Sequence, residues 1–152
     1  MEEAVAAGQV ETYGIATWSG FTDRIFTVPQ LDRLAAEAAG GRQHHLQAAQ
    51  LPVSLVQAEP LEQVLQGCGP IAAAAERGWE VLASSPLHGG ELVQAATAAL
   101  AALLRPGLSP AQACLLAAAS CPGGTTRVLL SASTPARWEA ARAALEQPAI
   151  PL

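Results

Sequence analysis

Helical and extended segments alternate along the 152 residues of this chain, and that alternation restricts its fold more than any other property of the sequence. Four stretches read as extended: residues 10–17, 45–51, 79–84 and 127–131. Each is followed by helical periodicity, so that strand starts fall near positions 10, 45, 79 and 127. Strands this far apart, with a helix between them, must run parallel and connect by right-handed crossovers. The sequence therefore predicts an α/β fold of four parallel βα units.

Punctuation residues mark the helices. Gly8 stops an opening helix, and Pro29 opens a segment in which Leu31, Leu34, Ala35 and Ala38 keep i, i+3, i+4, i+7 spacing before Gly40 and Gly41 end it. Residues 70–77 form a short helix with Pro first and Gly78 behind, and residues 92–104 form a longer one. Ser109-Pro110 and Thr134-Pro135 each pair a capping hydroxyl with a pre-organised first residue, the second opening a helix over 136–146.

The length suits one domain, 1–152, with a core that needs no disulfide or metal. Cys68, Cys114 and Cys121 make an odd count without a CxxC pair, and all three read as buried thiols in a reducing compartment. A net charge of -5 with eight scattered Arg leaves no basic stripe for nucleic acid. Apolar runs are interrupted well short of the roughly 20 residues a membrane span needs, and the acidic start carries no leader pattern, so a cytoplasmic location is expected. His44 and His45, adjacent on a strand, face opposite ways and cannot share a metal; no metal site is expected.

Four units are half the number that closes a (β/α)8 barrel, which takes about 250 residues. An open doubly wound sheet competes, but no GxGxxG follows the first strand, and a GxxxxGK[ST] loop is impossible in a chain without Lys. Four segments in order, Tyr13-Gly-Ile-Ala-Thr-Trp-Ser19, Gln50-Leu-Pro-Val-Ser-Leu55, Gly78-Trp-Glu-Val-Leu-Ala-Ser-Ser-Pro-Leu-His-Gly-Gly90 and Val128-Leu-Leu-Ser-Ala-Ser-Thr-Pro-Ala-Arg137, resemble the C-terminal half of the aldo/keto reductases, NADP-dependent carbonyl reductases built on a (β/α)8 barrel. Ser109-Pro-Ala-Gln112 resembles that family's helix start before its last strand. The resemblance implies a partial TIM barrel matching strands five to eight, in which the cofactor lies at the C-terminal strand ends.

It also implies a cofactor site, position by position. Thr17 stands where the family has an Asn holding the nicotinamide carboxamide, a weaker grip because one hydroxyl replaces a planar donor-acceptor pair. Gln50 matches a Gln against the nicotinamide, and Ser84 replaces a stacking aromatic ring, forfeiting about 0.5 to 1.5 kcal/mol of ring contact. Ser85, Pro86 and Leu87 keep the pyrophosphate loop, with Gly89 and Gly90 behind. Ser131, Ala132, Ser133 and Thr134 resemble the phosphate loop at a helix N-terminus, and Arg137 matches an Arg that pairs with the 2'-phosphate. Ala140 and Ala141 replace residues that read the adenine.

The family's proton donor is a Tyr assisted by Lys, Asp and His, from four strands with no counterpart here. Tyr13 starts the first strand, at the wrong end, and no Lys exists to depress a phenol whose ordinary pKa is about 10. No catalytic residue is therefore assigned, and carbonyl reduction by this chain alone is not expected. Three readings stay open: an aldo/keto reductase whose other half lies elsewhere, a non-catalytic half-barrel with residual NADP affinity that pairs with itself or with a complementary half, or a degenerate relic. Two unpaired strand edges point to self-association.

Overall fold

The computed structural model describes residues 1–41, 43–122 and 126–151. Four parallel strands, β1 (Tyr13–Ala16), β2 (Leu46–Pro52), β3 (Glu80–Ser84) and β4 (Thr126–Val128), form one sheet in the order β1-β2-β3-β4. Around them run α1 (Glu2–Ala6), α2 (Val28–Ala38), α3 (Glu59–Leu65), α4 (Gly69–Glu76), α5 (Glu91–Ala95), α6 (Ala98–Leu104), α7 (Pro110–Ala119) and α8 (Pro135–Leu145). Sequential strands are spatial neighbours throughout, as successive crossovers of one hand produce.

Capping boxes start two of the helices. The Thr27 hydroxyl accepts the Gln30 N–H while the Gln30 side chain takes the Thr27 N–H, and Ser109 with Gln112 repeats the arrangement for α7. Pro29 and Pro110 occupy first-turn positions where no N–H is needed.

One face of the sheet is packed. Ala49, Leu51, Val81 and Ala83 point to the helices and join Val28, Ala35, Leu61, Val64, Ile71 and Trp79 in the main core. The opposite face is open. Gly14, Ala48 and Glu80 share one register row, and Ala16, Gln50, Leu82 and Arg127 the next. On it Arg127 pairs with Glu80. A Cβ on Gly14 would lie 2.9 Å from the Ala48 side chain, so β1 and β2 approach closely there.

Several sequence boundaries shift. Residues 10–17 shorten to Tyr13–Ala16 and 127–131 to Thr126–Val128, because both strands sit at a sheet edge with one partner each. The helix expected over 92–104 is two: Ala96 turns extended (φ -72°, ψ 129°), and the Thr97 hydroxyl then accepts the Leu100 N–H to start α6. The helix α3, in a stretch where the sequence assigns no element, carries Pro60 in its first turn. Cys114 and Cys121 are buried, but Cys68 is exposed, because it precedes α4 as that helix's extended N-terminal flank.

A second, smaller cluster of Leu116, Ala117 and Ile150 closes the far end. There the segment after α8 folds back: Arg105 donates to Gln147 Oε1 and to the carbonyls of Pro148 and Ala149, and the Ile150 N–H donates to Ser120 Oγ at 2.8 Å. Among the described residues, no helix is long and apolar enough to cross a membrane.

Candidate functional site

Thr17, Ser84, Ser85, Pro86 and Leu87 lie at or just beyond the C-terminal ends of β1 and β3, Gln50 lies two residues before the end of β2, and Ser131, Ala132, Ser133, Thr134 and Arg137 lie in the loop after β4 and the start of α8. The Thr17 N–H donates to the Gln50 carbonyl at 3.0 Å, which brings these two positions together at the ends of β1 and β2. Thr17 Oγ1 is already engaged, accepting the Gly20 N–H at 2.9 Å in a tight turn. Gly20 is buried, and a Cβ there would collide with the Phe26 ring and Thr17 Oγ1, so this turn admits only glycine. Gln50, half-buried, stands on the open sheet face beside Ala16 and Leu82.

Ser84 ends β3 opposite Pro52 and is half-buried. The loop behind it is conformationally unusual. Ser85 has φ 52°, His88 φ 48°, Gly89 φ 67° and Gly90 φ 99°, so four of six residues take left-handed backbone and two of them carry side chains. The loop is braced by the His88 N–H on the Ser85 carbonyl and the Gly90 N–H on the Leu87 carbonyl, both at 2.9 Å, while Pro86 is buried beneath it. Left-handed backbone costs a non-glycine residue about 1–2 kcal/mol, and such positions gather at ligand sites.

His88, which the sequence left without a role, meets two partners. Its ring centroid lies 6.0 Å from that of Trp18, and its Nε2 lies 4.0 Å from Glu91 Oε2, a carboxylate one helical turn away. Trp18 is 56% exposed, a large aromatic surface left open beside the loop.

The third group surrounds the start of α8. Thr134 caps that helix, its hydroxyl accepting the Arg137 N–H at 3.3 Å. Arg137 Nη1 donates back to Ser133 Oγ at 2.8 Å, an exposed contact that ties the guanidinium to the loop. A cavity of about 380 Å³ opens there, lined by Ala132, Ser133, Thr134, Pro135, Trp138 and Glu139. Ser131 lies next to this lining, exposed. Pro135 has no N–H and the Arg137 N–H is spent on Thr134 Oγ1, so the Ala136 N–H and the Arg137 charge are what favour an anion, against which Glu139 supplies one opposing carboxylate. Trp138, half-exposed in the cavity wall, was missed from sequence, where it reads as one more helix position. Ala141 is buried and so faces the core, away from any ligand.

At the other end of the strands the chemistry is structural. Tyr13 donates its hydroxyl to Glu2 Oε1 at 2.8 Å. Burial, then the hydrogen bond to that carboxylate, push the phenol up to about 12. That is opposite to what a proton donor needs, because a carboxylate partner holds the phenol's proton in place. His45 Nδ1 lies 2.9 Å from Glu2 Oε2, and His44 Nε2 lies 3.0 Å from Asp32 Oδ1, so the two imidazoles point to different carboxylates. Among the described residues no group of three or more His, Cys, Asp and Glu could hold a metal ion.

No family model and no curated protein sequence matches the chain. Among solved structures, it is similar to a crystal structure of a thermostable aldo-keto reductase in complex with the inhibitor epalrestat. The TM-score is 0.65 at 17% sequence identity, covering 96% of this chain and 47% of that one. The likeness establishes the fold alone: a four-stranded parallel part of a βα barrel. The chain spans about half the length of that reductase.

Proposed function

We propose that this chain is a nucleotide-binding half-barrel of the aldo/keto reductase type, which holds NADP by its phosphates and does not reduce carbonyls by itself. The observation that carries the reading is the α8 start. The positions that resemble a phosphate loop, Ala132 to Thr134, line a cavity, and Arg137 is tied to Ser133 beside it. A 2'-phosphate there would meet a guanidinium already held in position, which reduces the ordering cost of the contact.

The residues present suit the two ends of a dinucleotide unequally. The phosphate end has hydroxyls, a helix N-terminus and Arg137. At the ring end, the Thr17 oxygen already accepts a backbone N–H, and Ser84 offers no aromatic surface. Gln50 remains able to hydrogen-bond a carboxamide. When bound, the cofactor would supply the hydride; the chain's own part is to bind and orient it. Tyr13, raised to about 12 and far from these loops in the strand direction, supplies no proton.

The test is a calorimetric titration with NADPH, repeated with NADH. For Arg137→Ala the expected result is about 10- to 100-fold weaker NADPH binding, the equivalent of losing one charge-assisted hydrogen bond, with NADH unchanged. Equal affinities of the variant and the parent for NADPH would remove Arg137 from the site. No binding of either nucleotide at millimolar concentration would leave the relic reading in its place.

A further inference from the structure

We infer that the open sheet face and both sheet edges are covered by a second copy of this chain, two four-stranded halves closing one eight-stranded barrel. The inference goes beyond nucleotide binding and does not depend on it.

The two edges are β1 and β4, each with a single neighbour among the described residues. In β1 the N–H groups of Tyr13 and Thr17 are spent on β2, so the alternate N–H of Ala16 points outward. In β4 the Leu129 N–H is spent on Ala83, which leaves Val128 facing outward in the same way. Neither strand carries a Pro, and the one charged residue in them, Arg127 on β4, is paired with Glu80. Exposed apolar side chains stand beside both: Val10 and Trp18 flank β1, and Leu129 follows β4.

All four strands are parallel, so a two-fold axis along the strand direction joins β4 of each copy to β1 of the other in parallel pairing. One operation satisfies both edges, and four strands from each copy reach the eight of a closed barrel. The faces also match in size and charge. The β1 side carries only Gly14 and Ala16, whereas the β4 side carries the long Arg127 and then Leu129, so bulk at each seam meets room. Arg127 is already neutralised by Glu80, and a second copy brings no net charge to the face. Because the axis runs along the strands, both sets of C-terminal loops open at the same mouth.

Sedimentation velocity of the full chain across the micromolar range, with amide hydrogen exchange on the same samples, decides the matter. The expected result is a species of twice the 15.5 kDa chain mass, with protection at Ala16 and Val128 rising in step with it. Ala16→Pro, which removes the outward N–H at the last residue of β1 and fixes its φ, is expected to return the chain to monomer with an unchanged circular dichroism spectrum. A monomer at all concentrations overturns the inference and leaves the face to a different half-barrel. A dimer whose edge amides stay unprotected, or a ladder of larger species, overturns it as well. Should Ala16→Pro unfold, the exchange data on the parent chain still decide.

Discussion

Glu2 and His45 are bonded twice across 43 residues of chain: Glu2 Oε1 accepts the His45 backbone N–H and Glu2 Oε2 meets His45 Nδ1, both at 2.9 Å. The same carboxylate accepts the Tyr13 hydroxyl. Ala4 and Val5 of α1 are only half-buried, and this one side chain ties the first helix to the starts of β1 and β2 by hydrogen bonds.

That arrangement makes the attachment acid-sensitive. The His45 backbone N–H, then the His45 ring and the Tyr13 hydroxyl, hold the Glu2 carboxyl down from 4.5 to about 2. A carboxylate whose folded pKa is depressed stabilises the fold above its unfolded value and loses that contribution as pH falls through the folded one. The stabilisation is therefore complete above about 4.5 and drains away toward about 2. Thermal melts of the parent and Glu2→Gln over this window should differ most above it and converge at its acid end. A constant difference at every pH would show that the charge of Glu2 is irrelevant.

Tyr13 is the single tyrosine, which makes its ionisation directly visible in the near ultraviolet. The phenolate should form only as pH approaches about 12, against about 10 for an unburied tyrosine. A raised folded pKa means that its contribution to stability is intact below about 10 and is lost as pH rises through about 12. In Glu2→Gln the absorbance midpoint should move down toward the ordinary value; no movement would refute the Tyr13–Glu2 bond.

The three cysteines should separate by rate. Cys68 is exposed, whereas burial pushes the Cys114 and Cys121 thiols up and keeps them in the unreactive protonated form. Ellman's reagent should titrate one thiol quickly in the native chain and three after denaturation. Three fast thiols would mean that α7 does not pack as described.

Ser120 is buried and does two things at once, donating to the Leu116 carbonyl at 2.6 Å and accepting the Ile150 N–H at 2.8 Å. Ser120→Ala leaves that N–H without its partner and should cost about 1–3 kcal/mol in urea unfolding. Arg105→Ala, which frees the carbonyls of Pro148 and Ala149, should speed carboxypeptidase digestion of the tail while costing less stability. Digestion at the parent rate would show that Arg105 does not hold the tail.

What could be read from the sequence divides along physical lines. Strand order and direction were legible because short extended runs such as Val81-Leu82-Ala83 recur between helices, and crossovers admit one hand. Caps were legible at Ser109 and Thr134 because the capping signal spans only four residues. The break at Ala96 was not, since Ala sits equally well on either side of a helix end. Likewise the Glu2–His45 and Arg105–Ala149 contacts join residues more than forty apart, and no local pattern carries such information. Of the site, the α8 loop was legible as a run of cap residues, whereas Trp138 becomes a cavity wall only when that loop folds over it.

Ser85 and His88 adopt backbone angles that suit glycine, inside a loop that already contains two glycines in that conformation. Selection for thermostability alone should therefore drive both positions toward glycine, while selection for ligand capture should retain the side chains. Sequencing survivors of the two regimes would turn a pair of dihedral angles into a count of alleles. The divergence at these two codons would measure how far this loop is built for something other than folding.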